Sequence, residues 1–329
     1  MAFMNKIGCF ALAVASFATV SASAATWTSD GHDWTNSHNQ PFERKIGPNN
    51  VVNLKLHWSV STDGDVVGHP AVDENYVYFP DSAGFIYKVS RSTGVVVWKF
   101  PVSNYTGIAG DYSRSSPAIW GDTLVFGNQS GKFLAAFGQP APQPAQVFAV
   151  NKDTGAKLWS TQVDPDVLST VTQAPVVVPG PRLGQASVLV GVASNEELLA
   201  GFIPPPNWAF QFRGSVLALD VATGAIRWKT YTVPPGYFGA AVWGSTVAFD
   251  VLRQEAYVTT GNNYAVPQSV LDCLHAGGSP TSCLDPNDHF DSVMAVSLMD
   301  GHVTWSQRGL PYDTFNTGCG LIVPDRNPC

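Results

Sequence analysis

Residues Phe85–Trp98 read FIYKVSRSTGVVVW: an apolar run, a polar turn at Ser92-Thr93-Gly94, and a second run ending on Trp98. The pattern recurs at Val147–Trp159 (VFAVNKDTGAKLW), Val216–Trp228 (VLALDVATGAIRW) and Val293–Trp305 (VMAVSLMDGHVTW). Each copy places Gly four residues before Trp. Glycine supplies the left-handed backbone position that tight turns between strands demand. The run after it alternates polar and apolar residues, as a strand with one wet face does. Each copy is therefore predicted to be a strand–turn–strand unit with an aromatic anchor at its end.

The surroundings of these units suit the same reading. The chain of 329 residues has 30 Gly and 24 Pro but is only 13% charged, a mix that favours a β-rich protein with many turns. Its formal charge of −7 speaks against nucleic acid or an anionic membrane as partner.

The N-terminus reads as an address label. Lys6 precedes an apolar run from Ile7 to Val20, and Ala22-Ser23-Ala24 fits a small-residue cleavage site. Residues 1–24 are expected to be a cleaved signal peptide, with the mature protein periplasmic or secreted. The run is too short for a membrane span. Past it stand Cys273, Cys283, Cys319 and Cys329, an even number in an exported chain, which points to disulfides. Of the three possible pairings, Cys273–Cys283 and Cys319–Cys329 are favoured, because each closes a short polar loop. No pair is spaced CxxC, so zinc and c-type haem find no support.

In chain order, residues 25–67 form a lead-in that includes a lone outer strand, Leu54–Val60, whose Trp58 matches the repeat tryptophan. A first blade runs from about Gly68 to Trp98. The anchors Trp98, Trp159, Trp228 and Trp305 lie 61, 69 and 77 residues apart. A four-stranded propeller blade needs ~40–50 residues, so the later repeats carry insertions. Phe133–Gln146, Glu196–Phe212 and Val266–Phe290, rich in Pro, Gly or polar residues, are expected to be rim loops. Pro70, Pro117 and Pro175 each head an apolar run, a place where a strand tolerates proline. That run would be the inner strand, so the residues just before it would face the channel mouth. The expected fold is all-β: about four blades of four antiparallel strands over residues 68–329, stacked so that each sheet covers its neighbour.

The repeat A-[VL]-[DNS]-x-x-[TD]-G-x-x-x-W resembles that of the quinoprotein alcohol dehydrogenases, which use pyrroloquinoline quinone (PQQ). Arg114-Ser115-Ser116-Pro117, Phe212-Arg213-Gly214-Ser215 and the Cys-bearing insertion after Thr260-Gly261-Asn262 look most like the polyvinyl alcohol dehydrogenases among them. The resemblance covers nearly all of the chain beyond residue 24, but the family would close with about twice as many blades. It implies PQQ and Ca2+ as cofactors and a residue set around them. Trp243, in Val242-Trp243-Gly244-Ser245, would be the floor beneath the quinone. Arg114 would pair with a PQQ carboxylate, and Thr172 would hydrogen-bond the cofactor. Glu196 or Glu197, together with Asn262, would ligate calcium. Asp288, in Pro286-Asn287-Asp288, would be the catalytic base.

The chemistry asks for such a set on its own terms. Oxidising an alcohol to a carbonyl needs a proton acceptor and a hydride acceptor, and no side chain is the latter. No strand-GxGxxG-helix unit for a nicotinamide is present. A flat tricarboxylate such as PQQ needs an aromatic platform and a forked cation, which Trp243 and Arg114 offer. A calcium ion needs hard oxygens. The expected reaction oxidises a secondary alcohol, such as the units of polyvinyl alcohol, to a ketone, with electrons passing to an external acceptor such as a cytochrome. The same repeat also occurs in non-catalytic scaffolds such as the propeller subunit of the outer-membrane assembly machinery. A protein-binding scaffold and an inactive remnant are therefore the alternative readings.

Overall fold

The computed structural model describes residues 26–129, 143–180, 185–202, 209–244 and 246–319. Four large antiparallel sheets follow one another along the chain, and in each the four main strands pair in sequence order. The first holds Ala71–Val72, Tyr76–Pro80, Phe85–Ser90 and Val96–Pro101. The second holds Ala118–Trp120, Thr123–Gly127, Gln146–Asn151 and Lys157–Gln162. The third holds Val176–Val178, Ser187–Ser194, Ser215–Asp220 and Ile226–Tyr231. The fourth holds Ala248–Asp250, Glu255–Thr259, Ser292–Ser297 and Val303–Arg308. Three inner strands begin directly after Pro70, Pro117 and Pro175, where the missing N–H breaks no ladder.

The repeated turn has the same geometry four times. Gly94, Gly155, Gly224 and Gly301 all sit near φ +70°, at 74, 71, 72 and 77°. Each pairing slips by one residue just before the turn, between Lys88 and Val89 in the first sheet and at the matching place in the others. That slip is a bulge, which sharpens the twist of the outer pair.

The anchors lock neighbouring sheets together. Trp98, Trp159 and Trp228 each donate Nε1–H to a carbonyl in the turn of the next sheet: Lys152 at 3.2 Å, Val221 at 2.9 Å and Leu298 at 2.8 Å. The turn glycine lies against the indole, so a Cβ on Gly224 would fall 2.5 Å from Trp159 and one on Gly301 would fall 2.6 Å from Trp228. Between the locks lie the apolar cores. Tyr78, Trp98, Phe126 and Phe148 join the first two sheets, and Val125, Val147, Val190 and Leu217 join the second and third. Leu189, Trp228, Val258 and Met294 join the third and fourth.

Leu54–Val60 departs from expectation: it is not a strand, and among the described residues it has no ladder partner. Its Trp58 nevertheless occupies the anchor seat on the first sheet, donating Nε1–H to Arg91 O at 2.8 Å and lying on Gly94. A strand needs a neighbour to complete its hydrogen bonds, whereas an anchor needs only its receiving turn. At the far end, Trp305 stays 46% exposed, its ring tilted against Tyr257. The rest of the lead-in runs along the inner strands. Trp27 exchanges backbone bonds with Val72, Thr28 O accepts from Ile119, and Trp34 O accepts from Phe249. This covers inner edges that would otherwise be open to pairing.

The insertion Val266–Phe290 was expected to be loop, yet it carries helices Gln268–His275 and Pro280–Cys283. Val270, Leu271 and Leu274 recur at helical spacing and pack on Val233, Tyr237 and Phe290, which is enough to order the segment. The Cys273–Cys283 disulfide joins the two helices. Cys329 lies outside the described residues, as do residues 1–25 and most of Phe133–Gln146.

Gly224→Ala carries both a left-handed φ and a clash with Trp159, whereas Gly121→Ala, at φ 56° with open space around it, carries the strain alone. In urea unfolding, G121A is expected to cost about 1 kcal/mol and G224A at least twice that.

Candidate functional site

One cavity of about 290 Å³ opens where the second, third and fourth sheets meet. Arg114, Thr172, Glu197, Trp243 and Asn262 all line it. Arg114 and Thr172 stand in the loops just before Pro117 and Pro175, which the sequence assigns to the mouth of the channel. The second sheet thus contributes a cation and the fourth an aromatic face and an amide. The third contributes hydroxyls and a carboxylate.

The aromatic face is held from behind. Thr172 Oγ1 donates to Trp243 O at 3.0 Å, and Gln173 Nε2 donates to Gly244 O at 3.2 Å. The Trp243 side chain is 59% exposed, so its face stays open. Thr172 therefore braces the platform, and its hydroxyl proton is already committed to doing so. Arg114 is exposed and makes no hydrogen bond or ion pair among the described residues, in keeping with a guanidinium turned toward a ligand. Asn262 donates through Nδ2 to Asn263 O at 2.9 Å and Phe315 O at 2.8 Å. Spending both amide protons on backbone carbonyls leaves Oδ1 as the group it can offer a cation.

The two adjacent glutamates part company. In the single helical turn Glu196–Leu199, Glu197 lines the cavity and Glu196 does not. The Glu196 carboxylate accepts from Gln211 N at 3.0 and 3.2 Å and from Phe212 N at 2.9 Å, and the residue is 1% exposed. It ties down the end of the insertion. Burial, reinforced by the charge of Asp166, pushes its pKa up to about 8. Burial also raises Glu197, helped by the charge of Asp313.

Asp288 lies elsewhere. It lines a separate hollow of about 340 Å³ with His289, Trp305 and Arg308, and it is fully buried. Its Oδ2 accepts from Asn263 Nδ2 at 2.9 Å, as Asp111 accepts from Asn128 in the second sheet. The role this repeats is structural, and the cavity that gathers the other residues does not include it. Burial pushes the Asp288 pKa up to about 6.

Sequence reading missed the pair Asp291 and Asp313, which stand behind the Thr260-Gly261-Asn262 turn. Asp291 N donates to Gly261 O at 2.9 Å, and Asn263 N donates to Asp313 O at 3.3 Å. Burial and the neighbouring Asp313 lift Asp291 to about 6. Neither residue belongs to a motif, and only the fold puts the charge of Asp313 near Glu197 and Asp291. No cluster of three or more His, Cys, Asp or Glu shaped to hold a metal occurs among the described residues. A cation in the cavity would rest on Glu197, the Asn262 amide oxygen and the ligand itself, a hard-oxygen set that suits calcium. The crowding of like charges around Glu197 would also be relieved by a cation there. The open indole and the free guanidinium likewise fit a flat polycarboxylate.

Comparison with known proteins agrees on a β-propeller fold. Solved quinohemoprotein alcohol dehydrogenases from Pseudomonas putida and Comamonas testosteroni superpose with TM-scores of 0.64 and 0.63 at 22% and 20% identity. Each superposition covers 89% of this chain, against 41% and 42% of the solved chains. By sequence the chain is similar to polyvinylalcohol dehydrogenase of Sphingopyxis, 27% identical over 85% of this chain and 39% of that protein. A quinohemoprotein alcohol dehydrogenase of Pseudomonas putida is 25% identical over 83% of this chain and 37% of its own length. The chain thus spans about two-fifths of these relatives. Residues 51–140 match a family model described as outer membrane protein assembly factor BamB.

Because the Glu196 pKa is raised, its share of stability is complete below about 4.5 and is lost as pH rises through about 8. Glu196→Gln keeps an acceptor for Phe212 without the charge. In chelator-treated protein it is expected to melt higher than wild type at pH 8.5, with the gap closing by pH 5.

Proposed function

We propose that this chain carries the cofactor site of a PQQ-dependent alcohol dehydrogenase. The observation that carries the reading is the convergence of Arg114, Thr172, Glu197, Trp243 and Asn262 on one cavity, though they come from three sheets. When bound, PQQ supplies the two-electron acceptor that converts a carbinol to a carbonyl and hands the electrons to an external acceptor. The residues of this chain do the holding. Trp243 gives a ring face, braced by Thr172. Arg114 pairs with a carboxylate as a planar fork. Glu197 and Asn262 would hold a calcium ion through hard oxygens. The likeness to polyvinylalcohol dehydrogenase supports a secondary alcohol as substrate and a ketone as product. A cytochrome-type acceptor and a periplasmic or secreted location, reached through the leader at residues 1–24, complete the proposal. No helix among the described residues is long and apolar enough to cross a membrane.

The match of residues 51–140 to the assembly-factor model favours a second reading, a scaffold that binds protein partners. Titration of purified protein with PQQ and Ca2+ separates the two. Quenching of tryptophan fluorescence with bound-cofactor absorbance, followed by dye-linked oxidation of propan-2-ol, is expected. Arg114→Leu should weaken PQQ binding about tenfold or more, the worth of a charge-assisted hydrogen bond. Absence of PQQ binding by the wild type would leave the scaffold.

A further inference from the structure

Thr317 lines the cavity but takes no part in the site proposed so far. It lies beyond the last strand, Val303–Arg308, where the chain comes back alongside the Thr260-Gly261-Asn262 turn of the fourth sheet. Thr314 pairs with Asn263 in a parallel bridge, with Asn263 N donating to Asp313 O at 3.3 Å and Phe315 N donating to Asn263 O at 2.9 Å. From that footing the segment grips both groups assigned to the cation. Phe315 O accepts from Asn262 Nδ2 at 2.8 Å, which fixes the amide. Two residues on, Thr317 N and Oγ1 both donate to Glu197 O, at 3.1 and 2.7 Å. The hydroxyl also reaches Leu198 O at 2.8 Å and accepts from Gly201 N at 2.9 Å.

Glu197 needs such a hold. It sits in the single helical turn Glu196–Leu199, and one turn is too short to be stable alone. Glu196 fastens the turn on one side, through the N–H groups of Gln211 and Phe212. Thr317 fastens the other side, at carbonyls where helical donors run out. The chain itself fixes the two grips to each other: Phe315 and Thr317 are two residues apart, so their Cα atoms can lie no farther than about 7 Å from one another. Calcium takes its oxygens at about 2.3–2.6 Å, which makes the gap between its ligands the quantity that must be held. We infer that Thr317 is a positioning residue: together with Phe315 O it sets the separation between the Glu197 carboxylate and the Asn262 amide oxygen. The inference rests on the PQQ and calcium reading and deepens it. Sheet stacking alone does not set this gap, because Glu197 rides on an insertion and not on a ladder strand.

The test is a Ca2+ titration of the full chain with PQQ present, read by cofactor absorbance and tryptophan quenching, in wild type and four variants. Thr317→Val keeps the shape and removes the hydroxyl, whereas Thr317→Ser keeps the hydroxyl. Gly201→Ala strains the same contact from the other side, since a Cβ there would fall 2.7 Å from Thr317 Oγ1. Gly121→Ala lowers stability without touching the cavity lining. T317V and G201A are expected to need about tenfold more Ca2+ for half-saturation, the worth of a buried hydrogen bond. T317S and G121A are expected to stay within about twofold of wild type. G201A carries the test by itself if T317V does not fold. Three results overturn the inference: wild-type midpoints in T317V and G201A, a T317S protein as weak as T317V, or a G121A shift as large as that of T317V, which would trace the effect to stability. If wild type binds no PQQ, the functional reading itself fails and the clamp falls with it, whereas wild-type binding whose Ca2+ midpoint T317V and G201A leave unchanged removes the clamp alone.

Discussion

The contact between an indole and the turn of the next sheet is the constraint from which the rest of the molecule follows. A four-stranded sheet has two faces and cannot bury both by itself, so each needs a neighbour at a set distance and angle. Trp98, Trp159 and Trp228 set both, each with one Nε1–H donated to a turn carbonyl, while Trp159 and Trp228 also lie on the turn glycine and Phe100 covers Gly155 beside Trp98. The glycine serves twice, once for its left-handed φ and once for its missing Cβ. Apolar side chains between the locks then supply most of the stability, while the locks fix the register in which those side chains meet.

That register puts chemistry in one place. Inner strands that begin after proline leave their preceding loops pointing to the same end of the array. Arg114 and Thr172 arrive there from consecutive sheets, and Trp243 arrives beside them. Because each group rides on a different sheet, a small change in how the sheets stack would pull the cavity apart. The bracing of Trp243 by Thr172 and Gln173 ties the third sheet to the fourth at the point where the platform is needed. Inter-sheet packing and the site are in that sense one structure.

Much of this was legible in residue order. The Gly-to-Trp spacing pointed to the turns and anchors, and proline at the head of an apolar run marked the inner strands. The Cys273–Cys283 bridge was readable from a short polar loop. Other features were not. The helix Gln268–His275 hides in a polar insertion, because its apolar face has meaning only against Phe290 and Tyr237. Leu54–Val60 reads as a strand from its pattern, but pairing depends on a neighbour that no pattern shows.

The sequence by itself determined the repeat, its turn chemistry and the residue types that gather at the mouth, because those depend on local backbone preference and on periodicity. Only the tertiary structure decided which of two adjacent glutamates faces the cavity. Helix geometry points successive side chains in different directions, and the backbone N–H groups of Gln211 and Phe212 claim Glu196. It likewise set Asp288 in a hollow of its own and brought Asp313 close to Glu197 and Asp291. Electrostatic crowding and burial act through distances in space, and residues far apart along the chain acquire those distances only when the sheets stack.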